Sequence, residues 1–196
     1  ESNANFNVII GDIETRISLA GKQHHNGVSY KQIASHFSAQ KPKYKVDKKY
    51  QHAWLLMDRN TQADDNAEHL YRHIKHHHPE QEIHFVLEPS SNDWSRLADE
   101  GFNLLAFGSN EHESALRSCT KLISSHIDKY VSNYLGPKML AGRHLVFLQH
   151  GVAKDNLSGW LNSKEAINCL VTTTPDEYHS FVNDGSPYKY SRKDVV

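Results

Sequence analysis

The chain has 196 residues, 38% hydrophobic and 23% charged, a balance that is typical of a folded domain and excludes an intrinsically disordered chain. Lysine and arginine total 22 against 23 aspartate and glutamate, and the net charge of -1 excludes a global field that would attract nucleic acid or an anionic membrane. No apolar run approaches the roughly 20 residues that cross a bilayer, no signal peptide is recognised, and Cys119 and Cys169 are expected to be buried thiols in a reducing compartment.

Residues 1–45 are predicted to form a short helical leader and a connector. Apolar residues recur at helical spacing between Ile9 and Ile17, and a polar, proline-bearing connector follows at 40–45. We interpret the first four residues as a cloning remnant. Because a new strand begins near residue 188, we also expect the chain to be a piece of a longer protein.

Residues 46–196 alternate between short apolar runs and helical patterns. Strands are predicted at 53–57, 83–87, 104–107, 121–125, 145–148 and 169–172. Helices are predicted at 66–77, 94–100, 114–117 and 175–183, with a helical turn at 163–166 and a short helix in the loop around 130–140. Strands separated by single helices predict an α/β fold with one Rossmann-like parallel sheet and flanking helices. No GxGxxG motif follows the first strand, so the dinucleotide fingerprint is absent.

Two predicted strands run directly into a histidine. The fifth strand ends at Gln149-His150-Gly151, and the fourth ends at His126. In open α/β sheets ligands bind beyond the carboxyl ends of the strands, so both imidazoles are predicted to lie at one ligand-binding rim. His150 is placed there for proton transfer, and Gly151 would let a substrate approach the backbone closely. The alternative, a capped strand end with a surface histidine, stays open.

Charged residues follow the same strands. Asp58 and Arg59 leave the first strand, and the guanidinium of Arg59 could hold a phosphate through two hydrogen bonds. The alternative is a helix-capping loop in which Asp58 and Arg59 pair with each other. Lys154, just beyond the fifth strand, could neutralise a phosphate, whereas Trp160 is predicted to pack in the core.

The chain contains 15 histidines, three of them consecutive at His76–His78. Consecutive residues of a helix do not share one face, and no CxxC or HExxH motif accompanies them. The sequence therefore predicts no metal site.

Taken in order, these motifs resemble the start of the catalytic region of the CDP-glycerol:poly(glycerophosphate) glycerophosphotransferase family, which includes teichoic-acid polymerases and related bacterial capsule polymerases. The resemblance covers roughly residues 46–196 and rests on Trp54–Arg59, Ala63–Glu68, Ile123–His126, Phe147–Gly151 and Lys154-Asp155.

The resemblance implies one half of a GT-B architecture, in which two Rossmann-like halves face each other across a cleft. Residues 46–196 would be the acceptor-side half, truncated before the nucleotide-binding half, and this piece alone would be inactive. The implied reaction moves glycerol phosphate from CDP-glycerol to a teichoic-acid or capsule acceptor and releases CMP, without a cofactor. The implied partners are this donor and a polymer acceptor, with no nucleic acid. The implied location is the cytoplasm, with peripheral association at the inner face of the membrane.

The resemblance also implies residue roles. His150 would be the general base, and the substrate-binding residues would be Asp58, Arg59, Asn66, His126, Gly151 and Lys154. Gln149 stands where some teichoic-acid polymerases have tryptophan, which favours capsule-type relatives and leaves the donor open. Two alternatives follow: a GT-B transferase with a different activated sugar or polyol donor, and a non-catalytic docking module of a capsule-synthesis protein.

Overall fold

A computed structural model describes residues 46–136, 139–164 and 167–196. Contacts divide the chain into two units, Glu1–Lys43 and Tyr44–Val196, and all described residues belong to the second. The predicted helical leader and residues 165–166 of the turn predicted at 163–166 lie outside the described residues.

Six parallel strands form one sheet, in the order β3-β2-β1-β4-β5-β6. Their bounds are β1 Trp54–Met57, β2 Ile83–Leu87, β3 Leu104–Ala106, β4 Lys121–Ser124, β5 His144–Phe147 and β6 Ile167–Leu170. Beyond β6, where a further strand was predicted, Val195 forms a single parallel bridge with Leu170. The sheet and its flanking helices confirm the predicted α/β, Rossmann-like fold.

The flanking helices are α1 Asn66–His77, α2 Trp94–Asp99, α3 Asn110–Ser118, α4 Lys129–Ser132, α5 Ser158–Asn162 and α6 Pro175–Val182, preceded by a 3-10 turn at Lys48–Tyr50. Helix α3 begins at Asn110 rather than Ser114, because the hydroxyl of Ser109 accepts a hydrogen bond from the amide of His112 and caps the helix. Within the described residues, no helix combines the length and the apolar character needed to cross a bilayer.

Successive strand side chains face opposite sides of the sheet and build two cores. Leu55 and Met57 belong to one core, and Leu56 between them belongs to the other. Helix α1 covers the second core with Tyr71 and Ile74, on the apolar face that its sequence predicts. Because both faces are covered, the strands are nearly continuous apolar runs.

The strand order brings three loops together at the carboxyl edge of the sheet. Strand β1 pairs with β4, and β4 pairs with β5, so the loops after these three strands emerge side by side. The chain order reverses between β1 and β4, and crevices at such switch points are where open α/β sheets bind ligands.

Candidate active site

Asp58 fastens the loop between β1 and α1 from inside the protein. One carboxylate oxygen accepts hydrogen bonds from the amide of Ala67 at 3.0 Å and the hydroxyl of Ser125 at 2.6 Å. The other accepts from the amides of Asp65 at 3.1 Å and Glu68 at 3.3 Å. Burial raises the pKa of Asp58, and these hydrogen bonds offset part of that rise. Asp58 therefore links the end of β1 to Ser125, just after β4, and to the start of α1. Arg59 is not among these partners, so the loop is not held by the Asp58–Arg59 pair considered as an alternative.

His126 and His150 lie face to face at the carboxyl ends of β4 and β5. Their ring centroids are 4.4 Å apart, with 19° between the ring planes. His126 is buried and His150 is exposed. The Nε2 atom of His126 lies 3.4 Å from the Oδ2 atom of Asp65, the residue that caps α1. The two histidines thus share one rim, with only His150 open to solvent.

The hydrogen bond of His150 determines which ring nitrogen is free. Its Nδ1 atom lies 3.1 Å from the backbone oxygen of Ser125. A carbonyl oxygen can only accept, so Nδ1 carries the proton in this contact. In the neutral ring, Nε2 then holds an unshared pair that is available to accept a proton.

The surroundings of His126 keep that ring neutral. Burial lowers the pKa of His126, and the charges of His150 and Arg59 lower it further, while Asp65 and Asp128 act in the opposite direction. A neutral His126 stacked on His150 lets His150 take up a proton without a second cation against its face.

The strained turn that presents His150 is held from two sides. Gln149 has a φ of 59°, a left-handed conformation that few non-glycine residues adopt. Its backbone oxygen accepts from the side chain of Asn66 at 2.8 Å, and its side chain donates to the buried Glu177 at 3.2 Å. Glu177 also accepts from the amide of Ala153 at 2.6 Å, which ties the loop after β5 to α6.

The buried carboxylate of Glu177 is charged in this arrangement. Burial alone would raise its pKa, but hydrogen bonds from Ala153, Thr173 and Gln149 outweigh burial and lower it. The loop that carries His150 is therefore anchored to an ionised group.

An open groove of about 460 Å³ runs along this rim. Its lining residues are Arg59, His126, Ile127, Asp128, Phe147, His150, Leu157 and Trp160. Arg59 is exposed, and among the described residues no carboxylate lies within salt-bridge distance of its guanidinium. The groove therefore combines a proton acceptor with a cation that is free to contact an anionic ligand.

The structure brings Arg59, His126 and His150 together in the groove, and Asn66 contacts the turn that precedes His150. Lys154 is exposed but does not line this groove. Gly151 lines a smaller adjoining pocket of about 140 Å³, and a Cβ atom added to it would meet no atom within 4 Å. The fold itself thus leaves room for a side chain at position 151.

The prediction that Trp160 packs in the core is wrong. This residue is 41% exposed and lines the groove beside Leu157, and the buried residue of α5 is its neighbour Leu161. Successive residues of a helix point in different directions, so only one of the adjacent pair Trp160 and Leu161 could face the core. Asp128 also lines the groove and is not among the site residues predicted from the sequence, although it follows His126 by two positions.

Comparison with known proteins places the chain in a family. The model of the CDP-Glycerol:Poly(glycerophosphate) glycerophosphotransferase family matches residues 38–183. The Minor teichoic acid biosynthesis protein GgaB of Bacillus subtilis (strain 168) is 32% identical over 149 residues, which cover 73% of this chain and 16% of GgaB. No solved structure matches the chain at a significant level. The match to the family model over most of its length shows that the chain belongs to the CDP-Glycerol:Poly(glycerophosphate) glycerophosphotransferase family.

Proposed function

We propose that this domain is the acceptor side of a glycerophosphotransferase that extends a teichoic-acid or capsule polymer, with His150 as the general base. One observation carries the proposal: Nδ1 of His150 is committed to the backbone oxygen of Ser125, which leaves Nε2 free at the groove. A neutral imidazole with a reference pKa of about 6.5 accepts a hydroxyl proton near neutral pH.

The proposed step is an in-line displacement at phosphorus. Nε2 of His150 takes the proton of the acceptor hydroxyl, whose oxygen attacks the β-phosphorus of CDP-glycerol. The bond between that phosphorus and the oxygen that bridges to the α-phosphorus breaks, and CMP leaves. The acceptor gains one glycerol phosphate unit, and catalysis consists of positioning and charge neutralisation.

The remaining site residues divide into two roles in this proposal. Arg59 contacts phosphoryl oxygens, because its guanidinium is exposed in the groove and has no described carboxylate partner. Lys154 and Gly151 belong to the loop after β5 and would contact the donor from outside this groove. Asp58 and Asn66 act through the protein: Asp58 holds the β1–α1 loop, and Asn66 holds the turn that presents His150.

We also propose that the nucleotide is bound mainly by a second Rossmann-like half, as in a GT-B enzyme. The groove lies along one edge of a single sheet and is open to solvent. The proposed location, the cytoplasm with peripheral association at the inner face of the membrane, follows from the family resemblance alone.

The base role is tested by His150→Ala in the polymerase that carries this domain. We expect kcat for CMP release from CDP-glycerol to fall by about a hundredfold or more, because a positioned base contributes on that order. His144→Ala is the matched control: His144 is an exposed histidine at the opposite end of the same strand and should leave kcat unchanged. Turnover of His150→Ala at nearly the normal rate would remove His150 from catalysis.

Two further measurements separate the alternatives. A screen of nucleotide-activated donors identifies a different sugar or polyol donor if another compound is turned over faster than CDP-glycerol. The double variant Arg59→Ala/His150→Ala should abolish polymer extension. Full activity of that variant would assign the domain to docking instead of catalysis.

A further inference from the structure

Trp160 and Leu157 place an apolar surface on the wall of the proposed active-site groove. The two residues are 41% and 36% exposed. The ammonium of Lys164 lies 4.7 Å from the centre of the indole ring, which steadies the ring without burying it. Aromatic side chains carry large apolar area, and a site that binds only phosphates and hydroxyls gains nothing from an exposed indole. This surface indicates a ligand that has an apolar face of its own.

The polar residues of the groove narrow the chemistry of that ligand. Arg59 is suited to a phosphate, whereas the exposed carboxylate of Asp128, in the same groove, repels phosphates and accepts hydrogen bonds from hydroxyl groups. An aromatic wall, a carboxylate and a guanidinium around one groove fit a phosphorylated sugar, in which a ring with one apolar face and several hydroxyls adjoins a phosphate. A linear glycerol phosphate unit has no flat apolar face to place against an indole.

We propose that the acceptor end held in this groove carries a sugar ring that stacks on Trp160. Asp128 accepts a hydrogen bond from a ring hydroxyl, Arg59 contacts the adjoining phosphate, and another hydroxyl faces His150. This inference rests on the proposed function and adds to it the substrate class of the acceptor side. The groove volume of about 460 Å³ accommodates a ring of this size.

The test compares two phosphates that differ in the ring. Glucose 1-phosphate and glycerol 3-phosphate are titrated into the 196-residue chain, and the indole N–H signals of its three tryptophans are followed by NMR. We expect glucose 1-phosphate to bind about fivefold more tightly, because an aromatic contact of this kind contributes on that order. It should also shift the signal that disappears in Trp160→Phe.

Variants separate stacking from folding. Trp160→Ala should reduce the affinity for glucose 1-phosphate to that for glycerol 3-phosphate, and Trp160→Phe should keep part of the preference. Trp94→Phe, at a half-buried tryptophan in the core on the other side of the sheet, should change neither affinity. Circular dichroism of Trp160→Ala should match the unaltered chain, because Trp160 does not belong to the core cluster on its side of the sheet.

Equal affinity for both phosphates, or a preference that survives Trp160→Ala, would overturn the stacking proposal. Failure of the base role is a separate result, because His150→Ala is read out as turnover while Trp160→Ala is read out as binding at equilibrium. A preference for glucose 1-phosphate that is lost in Trp160→Ala, together with normal turnover of His150→Ala, would support the sugar-binding surface and reject the proposed base.

Discussion

His112 shows how a histidine can be structural in this fold. It is 2% exposed, and its Nδ1 atom accepts a hydrogen bond from the amide of Gly108 at 3.2 Å. Its ring packs beside those of Phe107 and Tyr134. Burial lowers the pKa of His112 to about 4, so the ring is neutral in the folded protein at neutral pH.

This lowered pKa makes stability depend on pH. The unfolded chain takes up the proton near pH 6.5, whereas the folded chain resists it down to about 4. The contribution of neutral His112 to the free energy of unfolding is therefore complete above pH 6.5. About 3 kcal/mol of it is lost as the pH falls toward 4. We expect urea unfolding to show this loss, and His112→Gln to remove most of it because glutamine does not titrate. An unchanged pH dependence in His112→Gln would contradict the assignment.

For single residues, the sequence predicts at which end of the sheet a side chain lies better than it predicts how exposed that side chain is. His126 and His150 each follow an apolar run, and a parallel sheet brings the ends of neighbouring strands together. Trp160 could not be placed in this way, because exposure of a residue on a five-residue helix depends on how that helix docks. The tautomer of His150 likewise depends on the backbone oxygen of Ser125, which is a contact across two strands.

Among the elements, the loop between β1 and α1 is the best determined. Asp58 accepts hydrogen bonds from three amides of this loop and of α1 and from the hydroxyl of Ser125, which directly follows β4, so one carboxylate fastens the start of the helix to the sheet. A substrate-contacting role for Asp58, implied by the family resemblance, would compete with these bonds.

Asp58→Asn tests which role dominates. An amide in place of the carboxylate directs an N–H group at backbone donors, so we expect the free energy of unfolding to fall by about 1–3 kcal/mol. Asp64→Asn, at an exposed position with a φ of 74° that asparagine tolerates, should change it by less than about 0.5 kcal/mol. Equal stability of the two variants, combined with a loss of turnover in Asp58→Asn alone, would favour direct substrate contact.

Helix bounds follow from local signals where a cap is present. Helix α1 spans 66–77 as predicted, because Asp65 caps it and its apolar residues recur on one face. The helical turn predicted at 163–166 is preceded in the structure by α5 at Ser158–Asn162, which has no side-chain cap and little apolar periodicity. Short uncapped helices are set by tertiary packing, which a local pattern does not encode.

For the whole molecule, the sequence predicts the class of the sheet but not its strand order. The pairing of β1 with β4 joins segments more than sixty residues apart, such as Leu55 and Leu122. That pairing is what places Arg59 beside His126, and no local pattern indicates it. The sequence thus shows which residue types follow each strand, but the strand order decides which of these residues become neighbours in the candidate site.

The same topology predicts how this chain binds CDP-glycerol by itself. Among the described residues, Arg59 alone of the lysines and arginines lines the groove. The donor, in contrast, carries two phosphates and a nucleoside. A single sheet edge also leaves the nucleoside in water, so little apolar area is buried on binding. We expect isothermal titration of the chain with CDP-glycerol to give weak binding, with Kd above about 0.1 mM, that weakens further as salt is added.

Arg59→Ala should remove the salt dependence, and Arg192→Ala, at an exposed arginine outside the groove, should leave it unchanged. Nanomolar affinity for CDP-glycerol would mean that the donor site is complete within these residues and would reject the proposal of a second, nucleotide-binding half.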